Sequence, residues 1–86
     1  MKLSDIPHHI IPLNSSNVAG ADFVPGVGML VKFHGNKKKD GTVTPPRTYL
    51  LPGASVKQFG GLLAADSHGK FFAQHLRSLE ATALEV

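Results

Sequence analysis

The chain has no cysteine among its 86 residues, which excludes a disulfide framework and a thiolate zinc site and gives no sign of a cross-linked secreted mini-protein. It also lacks a long apolar run. The opening residues, MKLSDIPHHIIPLN, are interrupted by Asp5, Pro7, His8, His9 and Pro12, whereas a signal peptide needs an unbroken apolar stretch and a membrane span needs about 20 such residues. A soluble cytoplasmic protein with no membrane association is the expectation. None of the five histidines falls in a ligand pattern such as two histidines on one helical face with a nearby carboxylate, so neither a metal nor another cofactor is expected. Gly26-Val27-Gly28 has no following helix and no Gly-Lys-Ser/Thr pattern, so it is not a phosphate loop. Asp66-Ser67-His68 contains the residue types of a hydrolase triad, but consecutive residues rarely converge in a relay geometry. The protein is therefore expected not to be an enzyme.

What is present describes a small soluble domain. Hydrophobic residues make up 42% and charged residues 17% of the chain, which fits a folded globular protein. At this length a chain buries about 60–65% of its unfolded surface, enough for one modest core and not for a deep substrate cleft besides. The net charge is +3, and it is unevenly placed. Lys32, Lys37, Lys38, Lys39 and Arg47 fall within sixteen residues that hold one acid, Asp40; the rest of the chain has four basic and five acidic residues. The basic character belongs to one strand-and-loop region, as in an electrostatic footprint for a polyanion.

Residues 1–15 read as an extended arm, because Pro7 and Pro12 oppose a helix. Its Ile6, Ile10, Ile11 and Leu13 are free to pack on the body, on a second copy or on another protein. Val18 to Val24 reads as a strand, and Pro25 to Gly28 as a turn. Met29 to His34 is a second strand, with Met29, Val31 and Phe33 on one face and Leu30, Lys32 and His34 on the other. After the long loop 35–46, Arg47 to Leu51 forms a third, with Arg47, Tyr49 and Leu51 sharing a face. Ser55 is placed to cap a first helix reaching about Ala65, with an apolar stripe of Val56, Phe59, Leu62 and Leu63. Its Gly60-Gly61 pair costs roughly 1 kcal/mol per residue relative to alanine, which predicts close approach of another backbone or a break. Ser67 can cap a second helix through an N–H near Gly69 or Lys70, and Phe72, Leu76 and Leu79 recur on one side of it.

Strands followed by helices predict an α+β domain, a three-stranded antiparallel β-meander with two C-terminal helices packed on one face. The domain spans 16–80, between the arm and a tail at 81–86. Its core should draw on Val18, Phe23, Met29, Val31, Phe33, Leu50, Phe59, Leu62, Leu63, Phe72, Leu76 and Leu79.

Several blocks resemble the KTSC family, small domains found alone in bacterial and phage proteins and appended to some lysyl-tRNA synthetases. They are Ser15-Ser16-Asn17-Val18, the strand Met29 to Phe33, Tyr49, Phe59 with Leu62 to Ala65, and above all Ser67-x-Gly69-x-Phe71-Phe72 with Leu76-Arg77. Leu51 stands where the second aromatic of the family's central Tyr-x-Tyr is usual, Ala54-Ser55 replaces Val-Pro, and the loop 35–46 is longer. The link to tRNA synthetases implies RNA binding, to tRNA or a single strand.

A non-enzymatic RNA-binding module is the function expected. Lys37, Lys38 and Lys39 on the loop, with Lys32 and Arg47 at its base, would hold phosphates. Tyr49 would stack on an unpaired base, and Lys70 and Arg77 would extend the surface. Arg77 has a structural alternative in an ion pair with Asp66 or Glu80. The competing function is a protein-interaction module that docks on a partner, or on itself, through Ile6, Ile10, Ile11 and Leu13.

Overall fold

The computed structural model describes residues 2–15, 18–35 and 39–84. Five strands lie side by side in chain order, each antiparallel to its neighbours: β1 (Ile11–Pro12), β2 (Val18–Val24), β3 (Gly28–Phe33), β4 (Arg47–Leu51) and β5 (Thr82–Leu84). Between β4 and β5 the chain forms α1 (Val56–Ala64) and α2 (His68–Phe71), the latter continued by a π-helical turn over Phe72–Leu76. The class is α+β with an antiparallel sheet and two helices, as expected, but the sheet has five strands rather than three. The additional strands are short edges contributed by the arm and the tail. Ile11 and Pro12 pair with Ala21 and Gly20, and Thr82 to Leu84 pair with Leu50 to Thr48. A proline is tolerated on such an edge because its missing N–H is not needed by an inner ladder.

The central hairpin turns where the composition indicates. Pro25 fixes the first corner position, Gly26 takes φ +80° at the second, and the Val27 N–H donates to the Val24 carbonyl at 3.0 Å. That is the chemistry of a type II turn. Strand β2 shifts register between Val18 and Gly20, and from there Ala21↔Val31 and Phe23↔Met29 face one side.

Alternation along the strands serves two cores. On one side Val18, Ala21, Met29, Val31 and Leu51 are buried with Leu62 of α1 and Leu76 of the π-helical turn. On the other, Leu30, Leu50 and Leu84 are buried with Ile6 of the arm, and Leu3, Ile10 and Val24 pack around them. Leu50 is therefore buried as expected, but on the arm side. Phe23, Phe33, Phe59, Leu63, Phe72 and Leu79 are half-buried at the margins, and Val56, expected on the buried stripe of α1, is 64% exposed.

The arm is docked. Ile6 is buried, Ile10 and Leu13 are half-buried, and only Ile11 of the expected partner surface is exposed, at 37%. Gly20 makes this docking possible: a Cβ there would lie 2.5 Å from Ile10 Cγ2 and 2.8 Å from the Ile11 carbonyl oxygen.

Both caps form. The Ser55 hydroxyl accepts from the Gln58 N–H at 3.2 Å while the Gln58 side-chain oxygen accepts from the Ser55 N–H at 2.8 Å, a reciprocal capping box. Ser67 accepts from the Lys70 N–H at 3.3 Å. Helix α1 runs unbroken through Gly60-Gly61, and what approaches Gly61 is a side chain rather than a backbone. Its missing Cβ would stand 2.7 Å from Phe71 Cζ, whereas Gly60 faces open space. No helix among the described residues is long and apolar enough to cross a membrane.

Candidate nucleic-acid interface

Phe33, at the end of β3, lies directly opposite Arg47 at the start of β4, and Tyr49 follows Arg47 on the same face. Phe72 reaches this end of the sheet from the start of the π-helical turn. The three rings form a chain of edge-to-face contacts, Tyr49 to Phe33 at 5.6 Å and 77°, and Phe33 to Phe72 at 5.0 Å and 85°. Such geometry satisfies the quadrupoles of aromatic rings. The rings are only half-buried, because the helices cover the middle of the sheet and leave this end open. The result is a cleft of about 740 Å³ whose lining includes His34 and Thr44-Pro45 near the sheet end and Gly69, Ala73 and Arg77 of the helical segment. The cleft is an open gap left at the sheet end rather than a hollow within the core.

The π-helical turn sets the position of Arg77, whose N–H donates to the Phe72 carbonyl at 2.8 Å, five residues back. In an ordinary α-helix residues five apart sit about 140° from each other around the axis. The wider turn draws Phe72 and Arg77 toward one side, and both line the cleft. Single π turns of this kind are frequent at functional sites.

No aspartate or glutamate lines the cleft among the described residues. Arg77 forms no ion pair with Asp66 or Glu80, and neither guanidinium has an ion-pair partner among the described residues. His34 Nε2 lies 2.9 Å from the Ser15 carbonyl oxygen, which can only accept. In the neutral ring Nε2 therefore carries the proton and Nδ1 is left as an acceptor. At the far side of the loop, the exposed Asp40 carboxylate accepts from the Thr42 N–H at 2.9 Å. Hydrogen bonds from the Thr42 backbone and then its hydroxyl hold the Asp40 carboxyl below its ordinary range.

Of the residues singled out from sequence, the fold brings Arg47, Tyr49 and Arg77 to one cleft. Lys32 does not join them. It is half-buried on the arm side, opposite Thr48 and beside Gly20, because strand alternation sends it away from Arg47 and Tyr49. Lys39 is exposed in the loop turn, and Lys70 is exposed on α2 next to the cleft residue Gly69. Lys37 and Lys38 lie outside the described residues. His34, Phe33 and Phe72 are cleft residues that the sequence did not mark as such: Phe33 and Phe72 read as core, and His34 as the polar end of a strand.

Asp66-Ser67-His68 assembles no relay. Ser67 is occupied as a helix cap, and His68 Nδ1 meets the Leu62 carbonyl at 2.7 Å at the end of α1. Among the described residues no three of His, Asp and Glu are grouped to hold a metal ion. No protein-family model matches the chain, and no curated protein matches its sequence.

Proposed function

We propose that this protein is a non-enzymatic nucleic-acid-binding module of the KTSC kind, with RNA as its ligand, and that it binds through the cleft between the open sheet end and α2. The observation that supports this most is the convergence of Arg47, Tyr49 and Arg77, from segments far apart in sequence, on an aromatic-floored cleft with no acidic lining residue among the described residues. Guanidinium groups with no ion-pair partner among the described residues are suited to bidentate contact with phosphates, and half-exposed rings are suited to stacking. Lys39 and Lys70 extend positive charge beyond the rim, and Lys37 and Lys38 add to the loop charge. The competing partner surface on the arm has less support, since Ile6, Ile10 and Leu13 are taken up by the chain's own packing.

Fluorescence anisotropy with a labelled single-stranded RNA and with tRNA, at low and moderate salt, tests the reading. Binding should weaken with salt, and the Arg47→Gln/Arg77→Gln pair should flatten the log–log slope by roughly 0.7 for each lost single-strand phosphate contact. A Lys37, Lys38 and Lys39 to glutamine variant separates the loop contribution from that of the cleft. No binding at low salt would overturn the proposal.

A further inference from the structure

Resting on the RNA reading, we infer that the cleft takes one nucleotide at a time: a single unstacked base enters the cleft and lies against the exposed faces of the ring chain while its own phosphate sits between Arg47 and Arg77. The recognised ligand is then an unpaired nucleotide, and a fully paired duplex is rejected.

Three features lead to this. The rings of Tyr49, Phe33 and Phe72 are half-buried inside the cleft rather than spread over a flat sheet face. A strand lying across the surface with its bases stacked would reach the arginines and not the rings; only a base swung out of its stack reaches both. The volume of about 740 Å³ falls in the range of small-molecule sites, about 300–1,000 Å³, which admits one nucleotide and no helix of paired strands. Polar groups of both kinds are present beside the rings. The Tyr49 hydroxyl has no hydrogen-bond partner among the described residues, and His34 Nδ1 is an acceptor while Nε2 holds the Ser15 carbonyl. These are groups that can address a base edge. The two guanidiniums come from different elements, the sheet and the end of the π-helical turn, so a phosphate held by both is fixed from two directions.

The experiment is competition against a labelled single-stranded RNA, with adenosine 5′-monophosphate, adenosine, inorganic phosphate and a blunt, fully paired RNA duplex as competitors. Amide chemical shifts are recorded for the same mononucleotide titration. Adenosine 5′-monophosphate should displace the labelled strand and shift the amides of Phe33, Tyr49, Phe72 and Arg77. Adenosine and phosphate alone should each be about tenfold weaker or worse, and the duplex should not compete. Tyr49→Leu, which keeps an apolar side chain in the Phe33 contact, should weaken single-strand binding roughly tenfold, within the range for loss of one stacked base. Arg47→Gln should weaken phosphate-bearing competitors and leave adenosine unchanged. A duplex that competes as well as the single strand, or a mononucleotide that fails to displace it, overturns one-nucleotide recognition while salt-dependent RNA binding still stands. Absence of any RNA binding removes both readings together.

Discussion

On the arm side of the sheet Leu30, Leu50 and Leu84 are closed over by Ile6, with Leu3 and Ile10 around it. On the helix side the same strands are closed over by Leu62 and Leu76 only as far as Phe33 and Tyr49, beyond which lies an open cleft. An irregular arm thus completes its layer, and two capped helices leave theirs incomplete. Closure of a face depends on which side chains reach over it, not on how regular the covering element is. Arginine, histidine and aromatic side chains gather where closure fails.

The comparison breaks if the arm side is a loose strap rather than half of the core. Leu30 and Leu62 are both fully buried, one on each side. Leu30→Ala and Leu62→Ala should each cost about 2–5 kcal/mol in urea denaturation. A Leu30→Ala cost far below that of Leu62→Ala would show that the arm contributes little. Gly20→Ala probes the same docking with less removed from the core. Its new methyl would meet Ile10 Cγ2 and the Ile11 carbonyl, so a loss of about 1–3 kcal/mol is expected, in the range of overpacking. Exchange protection of the Leu13 amide, which donates to the Ala19 carbonyl at 3.0 Å, should fall with it. Unchanged stability and protection would mean that the arm sits elsewhere in solution.

How much of this was readable follows from whether a signal is local. Strands β2 and β4 were legible to the residue because alternation and turn chemistry are carried within each segment, and both serine caps were legible for the same reason. Strands β1 and β5 were not, since pairs of two or three residues carry no period and exist only through the neighbour they meet. The π-helical turn was illegible because Phe72 to Leu76 has the same apolar spacing in either helical form. In the cleft, Arg47 and Tyr49 could be placed together by strand period. Arg77 could be named as a candidate, but its convergence depends on the path of α2. Phe33 and Phe72 read as core because apolar spacing does not distinguish the middle of a sheet from its end. Lys32 shows the opposite case: charge clustering along the chain grouped it with Arg47, although the alternation that separates them was already present in the sequence.

The glycine pair in α1 sharpens the contrast between filled and unfilled surface at smaller scale. Gly60 faces open space and Gly61 faces the tip of the Phe71 ring. Gly60→Ala should stabilise the protein by about 1 kcal/mol through helix propensity alone, seen as a raised thermal midpoint. Gly61→Ala gains the same propensity but must displace Phe71, which itself rests on His75 with ring centroids 4.5 Å apart. Its midpoint should fall below that of Gly60→Ala. Equal gains at both positions would show that Phe71 yields freely and that the α1–α2 contact is not tightly packed.

The smallest expected effect on stability tests the open end itself. Arg47 and Arg77 are exposed and have no ion-pair partner among the described residues, so replacing both with glutamine removes no contact that holds the fold. Substitutions of that kind usually stay within about 0.5 kcal/mol, and in urea the double variant should be indistinguishable from the parent on that scale. The same variant is expected to lose much of its RNA affinity, so stability and binding separate at this pair. On the arm side no such separation exists, since Leu30 and Ile6 have only packing to lose. A double variant destabilised by more than about 1 kcal/mol, outside that usual surface range, would mean that the arginines are part of the structure of the sheet end. The cleft would then be a packing feature, and the asymmetry between the two faces would have no functional content.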